Sequence, residues 1–191
     1  QSIWDDAKRE FSYGNMVTRI IIVNVAIYLF INIVYLLLFL GFGHSSLGDI
    51  YGPFLHFFCI SSDWIHNLTH PWVFFTHMFL HDGFWHILWN MLLLYWFGRI
   101  VGDFLGNQRI LPLYLMGGLA GAIAYFISVP FLPVGSFALG ASAAVMAIIV
   151  AAGVISPDYI MRLFLIGDVK LKYIVAFLVL MNLFLIPGGG N

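Results

Sequence analysis

Residues 18–42 are mostly Ile, Val, Leu and Phe, with Arg19 at the start and no other charged side chain. A helix over this run is long enough to cross the roughly 30 Å of hydrocarbon in a bilayer. The rest of the chain repeats the pattern. Apolar stretches recur at residues 84–102, 110–129, 139–153 and 172–186, so five spans are expected. Overall, 62% of residues are hydrophobic and 9% are charged, with mean hydropathy +0.96, which makes this an integral membrane protein of all-α class with the lipid bilayer as its first partner. A net charge of -1 is too small to suggest nucleic acid as a partner, and a lone Cys59 rules out an internal disulfide framework.

Between the spans the cations alternate. Lys8, Arg9 and Arg19 precede or open the first span, Arg99 and Arg109 flank the second connection, and Arg162, Lys170 and Lys172 lie between the fourth and fifth spans. The connections after spans one and three, and the residues after span five, carry no Lys or Arg. Under the positive-inside rule the N-terminus is expected in the cytoplasm, with residues 43–72, residues 130–137 and the final glycines on the far side. Residues 1–17 read as a cytoplasmic N-terminal segment, in which residues 1–16 form either an interfacial amphipathic helix or a polar tail. No small-residue cleavage site precedes the first span, so a cleavable signal peptide is not expected. Residues 43–72 hold His44, His56, His66 and His70 among aromatic residues. They read as a loop partly embedded at the membrane surface.

The stretch LGASAAVMAIIVAAG (residues 139–153) is almost wholly small or apolar, and Ser142 is its only hydroxyl. A helix of this length spans only about 22 Å, so it is expected to end inside the membrane, with neighbours packed closely on its Gly and Ala. Ser142 falls in its first turn, where unpaired N–H groups and the positive end of the helix dipole gather. His86 and Asn90, four apart in the first turns of the second span, share a helix face. By the orientation above, Ser142, His86 and Asn90 arrive at similar depth from the outer side. Polar groups in hydrocarbon are costly unless paired or hydrated, so their convergence predicts a wet cavity opening outward. Singly, each has a plain alternative: a Ser in a small-residue helix bonds its i−4 carbonyl, and a His or Asn fixes helix packing. His77 and His81 share a face, but only Asp82 joins them, so no metal site is expected. No cofactor is implied.

The segments PWVFFTHMFLHDGFWHILWNMLLLYWFGR, RILPLYLMGGLAGAIAYF and GASAAVMA together resemble the rhomboid intramembrane serine proteases. The resemblance implies a six-helix bundle, five of whose helices lie in these residues and a sixth beyond residue 191. Residues 18–191 would be the transmembrane domain. It implies that Ser142 is the nucleophile, that His86 and Asn90 of the HxxxN motif furnish the oxyanion hole, and that His77 and His81 stabilise the bundle or first loop. Gly117 and Gly121 form a GxxxG suited to close packing. Two positions depart from the common pattern: Val73 follows Trp72 where many relatives have Arg, and Ala143 follows Ser142 where Gly is commoner. No His follows His86, whereas in this family the base is a His on the sixth span. The 191 residues by themselves are therefore expected to be inactive. The implied activity is cleavage of peptide bonds in or near transmembrane helices of membrane-protein substrates, in a bacterial inner membrane, with the site toward the outer side. The alternative is a non-proteolytic rhomboid-like protein that binds client transmembrane segments. The spans hold neither a string of acidic residues nor an inverted repeat, which argues against a transporter.

Overall fold

The computed structural model describes residues 14–132, 134–163 and 167–185. Most of the interfacial segment expected over residues 1–16, and the final glycines, lie outside them. The first helix, α1 (Met16–His56), starts on an Asn15 cap whose Oδ1 accepts from the Thr18 N–H at 2.9 Å. Helical φ/ψ breaks at Gly43 (φ 72°, ψ 179°), a left-handed conformation that glycine adopts without a Cβ penalty. The connection expected as an embedded loop from residue 43 is thus largely helical. It continues α1 to His56, then forms β1 (Ile60–Ser61), α2 (Trp64–Thr69) and α3 (Val73–Thr76), followed by a 3₁₀ turn at His77–Phe79. Tyr51, Phe54, Leu55 and Phe58 pack against Ile31, Cys59 and Leu80, which gives this polar-looking segment an apolar seat of its own.

The remaining elements are α4 (Phe84–Leu105), α5 (Ile110–Ser128), β2 (Phe137–Ala138), α6 (Ser142–Ile155), β3 (Ile160–Leu163), β4 (Gly167–Lys170) and α7 (Leu171–Leu185). Among the described residues the structure is mainly helical, with two small antiparallel pairs, β1 with β2 and β3 with β4. Met16–Gly43 and Asn107–Ser128 are long and apolar enough to cross a membrane, and Ser142–Ile155 and Leu171–Asn182 are shorter apolar helices. Residues 160–163 and 167–170, read from sequence only as part of a cationic connection, pair as the antiparallel strands β3 and β4. There Arg162 Nε donates to Asp168 Oδ1 at 2.9 Å, while Lys170 and Lys172 both donate to Asp158 Oδ1.

At the centre lies α6, whose Ala144, Val145, Ile148, Ile149 and Ala152 are all buried and which packs mainly on α5 and α4. The α5–α6 approach depends on small residues. A Cβ at Gly117 or Gly121 would overlap the Cβ of Ala147 or Ala143 respectively, so both glycines are needed for the helices to meet this closely. A buried polar chain ties the bundle together. The Tyr114 hydroxyl on α5 donates to the Met78 carbonyl at 2.8 Å and accepts from Asn24 Nδ2 of α1 at 3.2 Å. Asn24 also donates to the Ile20 carbonyl. In a low-dielectric interior such groups are stabilising only when satisfied together, as here.

Candidate active site

Two helix beginnings meet at the site. Helix α4 opens after Gly83, placing His86 and Asn90 in its first two turns, while α6 opens at Ser142. His86 Nε2 lies 3.2 Å from Ser142 Oγ, and Asn90 Nδ2 donates to the same oxygen at 3.5 Å. Asn90 Nδ2 also donates to the His86 carbonyl at 3.0 Å, four residues back on its own helix, which fixes the amide's rotamer. The three residues singled out in the sequence are thus brought together across 52 and 56 positions of chain. Ser142 is exposed, not sealed by packing. With Trp85, Trp89 and Asn182, these three line an open cavity of about 320 Å³.

Three local features hold Ser142 in this position. Gly140 has φ +124°, and a Cβ there would lie 2.7 Å from His86 Cε1 and 2.9 Å from Nε2. Only glycine lets the His86 ring lie flush against the chain just before Ser142. The Gly140 N–H donates to the His77 carbonyl at 2.9 Å, which pins this approach to the first loop. The β1–β2 pair, Ile60 opposite Ala138 and Ser61 opposite Phe137, ties the segment leading into Gly140 to the same loop. Asn67 completes that loop, accepting from the Ser61 N–H at 2.9 Å and donating to its carbonyl at 2.8 Å. Sequence reading had no access to the β1–β2 pair, because two-residue strands leave no periodic signal.

His77 and His81 are both buried at 5% exposure. His77 Nδ1 bonds the Val73 carbonyl at 2.8 Å, within the first loop, and burial lowers its pKa. The His81 ring stands edge-on to His86 with centroids 5.1 Å apart; burial, assisted by His86, pushes its pKa down to about 4. Among the described residues no group of three or more His, Cys, Asp or Glu side chains converges as a metal would require. Asp82, considered from sequence only as a partner for metal, instead contacts His86: its Oδ1 is 2.6 Å from His86 Nδ1. The i, i+4 spacing of Asp82 and His86 was a signal that could have found this pair.

Chemically, the cavity offers a hydroxyl with an imidazole nitrogen and an amide N–H beside it, at the start of a helix whose first N–H groups lack intrahelical partners. That is the inventory for attack on a carbonyl and for holding the resulting oxyanion. The family model described as Rhomboid domain matches residues 68–189, a stretch that contains every residue of the site. Among curated proteins, the chain is 35% identical over 65 residues to "Rhomboid protease GluP" of Bacillus subtilis (strain 168), a match covering 34% of this chain and 13% of that protein. It is 42% identical over 52 residues to "RHOMBOID-like protein 12, mitochondrial" of Arabidopsis thaliana, covering 27% of this chain and 16% of that protein. The matches therefore span a small part of either relative's length.

Proposed function

Because this chain belongs to the rhomboid family and is a membrane protein, we propose that it is a serine endopeptidase that cuts peptide bonds in or near the transmembrane helices of membrane-protein substrates. Ser142 is the nucleophile, and His86 and Asn90 hold the oxyanion. The observation that carries this reading is the meeting of Ser142 Oγ with His86 Nε2 at 3.2 Å and Asn90 Nδ2 at 3.5 Å in an open cavity. In this reading residues 1–17 are cytoplasmic and residues 18–191 form a bundle with five crossings in the bacterial inner membrane, its site toward the outer side. The alternation of cations between connections supports that orientation.

The proposed reaction is acyl transfer through Ser142. Ser142 Oγ bonds to the scissile carbonyl carbon as it gives up its proton to a base, and the carbonyl π pair moves onto oxygen beside His86, Asn90 Nδ2 and the Ser142 N–H. Collapse reforms the carbonyl and expels the amine, which takes up the proton; water then releases the acyl group from Ser142 in the same way. A peptide bond inside a substrate helix is shielded by its own hydrogen bonds, so substrates are expected to carry helix-destabilising residues near the cut. Trp85 and Trp89, 68% and 56% exposed, line the cavity and suit the apolar side chains of such a segment.

The test is labelling of the full-length protein by a fluorophosphonate probe in detergent or lipid nanodiscs. The expected result is modification of the parent protein that disappears in Ser142→Ala. Equal labelling of Ser142→Ala, or no labelling of the parent together with retained binding of transmembrane peptides, would overturn the reading; the second result would point to a client-binding protein.

A further inference from the structure

We infer that Asn182, on α7, is a specificity-determining residue: its side-chain carbonyl accepts a hydrogen bond from a neutral donor side chain, a hydroxyl or a carboxamide, that the substrate carries about two residues from the scissile bond. The inference rests on the reading of Ser142 as nucleophile and adds to it a selection rule for the segment that is cut.

On α7, Ile174, Val175 and Leu178 pack against the main apolar core. Asn182 lies seven residues after Val175 and four after Leu178, so it continues the same helical stripe. The stripe changes from aliphatic to amide where the bundle opens into the cavity of about 320 Å³ that Asn182 shares with Ser142, His86 and Asn90. Between residues 174 and 185 Asn182 is the single polar side chain. In an apolar helix such a group is costly unless it is paired or faces a wet site that binds a ligand.

Half of this amide is engaged. Nδ2 donates to the Leu178 carbonyl at 3.0 Å, four residues back, which fixes the rotamer. Oδ1 accepts from no donor among the described residues, and the side chain is exposed. The other polar groups of the cavity are bonded to one another: His86 and Asn90 both reach Ser142 Oγ, and Asn90 also donates to the His86 carbonyl. Asn182 is bonded to none of them, so it stands apart from the nucleophile and the oxyanion donors as a vacant acceptor. A carboxamide oxygen only accepts, so its partner must donate. Among the described residues no carboxylate lines the cavity to balance a cation, which selects a neutral donor over Lys or Arg.

The packing of α6 on α7 sets which substrate residue meets Asn182. Val175, early in α7, sits on Gly153, late in α6, so closely that a Cβ at Gly153 would lie 2.9 Å from Val175 Cγ2. Asn182, later in α7, shares the cavity with Met146 and Ser142, early in α6, so the two helices run antiparallel. Counted from the Gly153 contact, Asn182 lies about 10.5 Å along α7 and Ser142 about 16.5 Å along α6. The amide is therefore about 6 Å, or one helical turn, farther into the bundle than the hydroxyl. An extended chain advances about 3.3 Å per residue, so a substrate segment unwound at Ser142 reaches Asn182 with about its second residue from the cut.

The experiment uses the full-length protein in nanodiscs and a library of Leu/Ala transmembrane peptides with a central Gly-Gly, in which each flanking position is either Thr or Val. These side chains have the same shape, and only Thr carries a donor hydroxyl. Cut positions and rates are read by mass spectrometry. At the second position on one side of the cut, the parent is expected to cleave Thr peptides about three- to tenfold faster than Val peptides. In Asn182→Leu that ratio is expected to fall to about one, and in Asn182→Gln, which keeps an acceptor, to stay above about twofold. A ratio near one in the parent would overturn the inference, as would a parental ratio that persists in Asn182→Leu. With Ser142→Ala cutting nothing, both results leave the nucleophile reading intact. Cleavage that continues in Ser142→Ala overturns the nucleophile reading and the inference with it.

Discussion

Gly140→Ala is the substitution whose consequence is most directly set by the geometry. The added methyl would sit 2.7 Å from His86 Cε1 and 2.9 Å from Nε2, against about 3.5 Å for an unstrained carbon contact. The ring has to retreat by about 0.7 Å, and taken along the line to Ser142 that lengthens the 3.2 Å contact to about 3.9 Å, beyond hydrogen-bonding range. The φ of +124° adds a second cost of about 1–3 kcal/mol for a residue with a Cβ. A misplacement near 1 Å at a reacting centre costs about 10²-fold in rate. The expected outcome is therefore fluorophosphonate labelling slowed about 10²-fold, with folding stability in detergent lowered by about 1–3 kcal/mol. Repeating the stability measurement in a His86→Ala background separates the two causes, because the ring is then gone and only the φ cost remains. Labelling of Gly140→Ala within threefold of the parent would refute the steric argument, as would an identical stability loss with and without the His86 ring.

Asn90→Ala removes one donor aimed at Ser142 Oγ and is expected to lower labelling or cleavage by about 10²–10³-fold with little change in substrate binding, read from kcat against KM. Tyr114→Phe leaves the buried Met78 carbonyl without its donor and deprives Asn24 of one partner, so denaturant unfolding should show a loss of about 1–3 kcal/mol. His81 ties stability to pH: its folded pKa of about 4 lies below the ordinary 6.5, so the unfolded chain binds the proton first. The stability it contributes is present above pH 6.5 and is lost as pH falls toward 4, by up to about 3 kcal/mol, and His81→Leu should flatten that part of the stability–pH curve. Gly121→Ala, whose Cβ overlaps Ala143, is expected to push α6 off α5 at the cost of about 1–3 kcal/mol and to slow labelling of the adjacent Ser142; a neutral effect on both would show that this seam is not tightly packed.

Much of the site was legible along the chain because helical geometry is local. The i, i+4 spacing fixes that His86 and Asn90 share a face, and equally that Asp82 can reach His86, whatever the rest of the protein does. The short small-residue run around Ser142 announced a tightly packed helix for the same reason: Gly and Ala set how near a neighbour can come. What the sequence could not supply was which surfaces meet. The segment after Gly43 looked like a loop because its polar and glycine residues break the apolar pattern, yet it is helical where Tyr51, Phe54 and Leu55 find a seat against Ile31 and Leu80. The β1–β2 pair, the His77 carbonyl under Gly140, and the 3.2 Å contact between His86 and Ser142 all join residues far apart in the chain. Local periodicity carries no information about such distances. They are decided by shape, by Gly117 and Gly121 admitting Ala147 and Ala143 so that α6 settles deeply enough for its first residue to face α4.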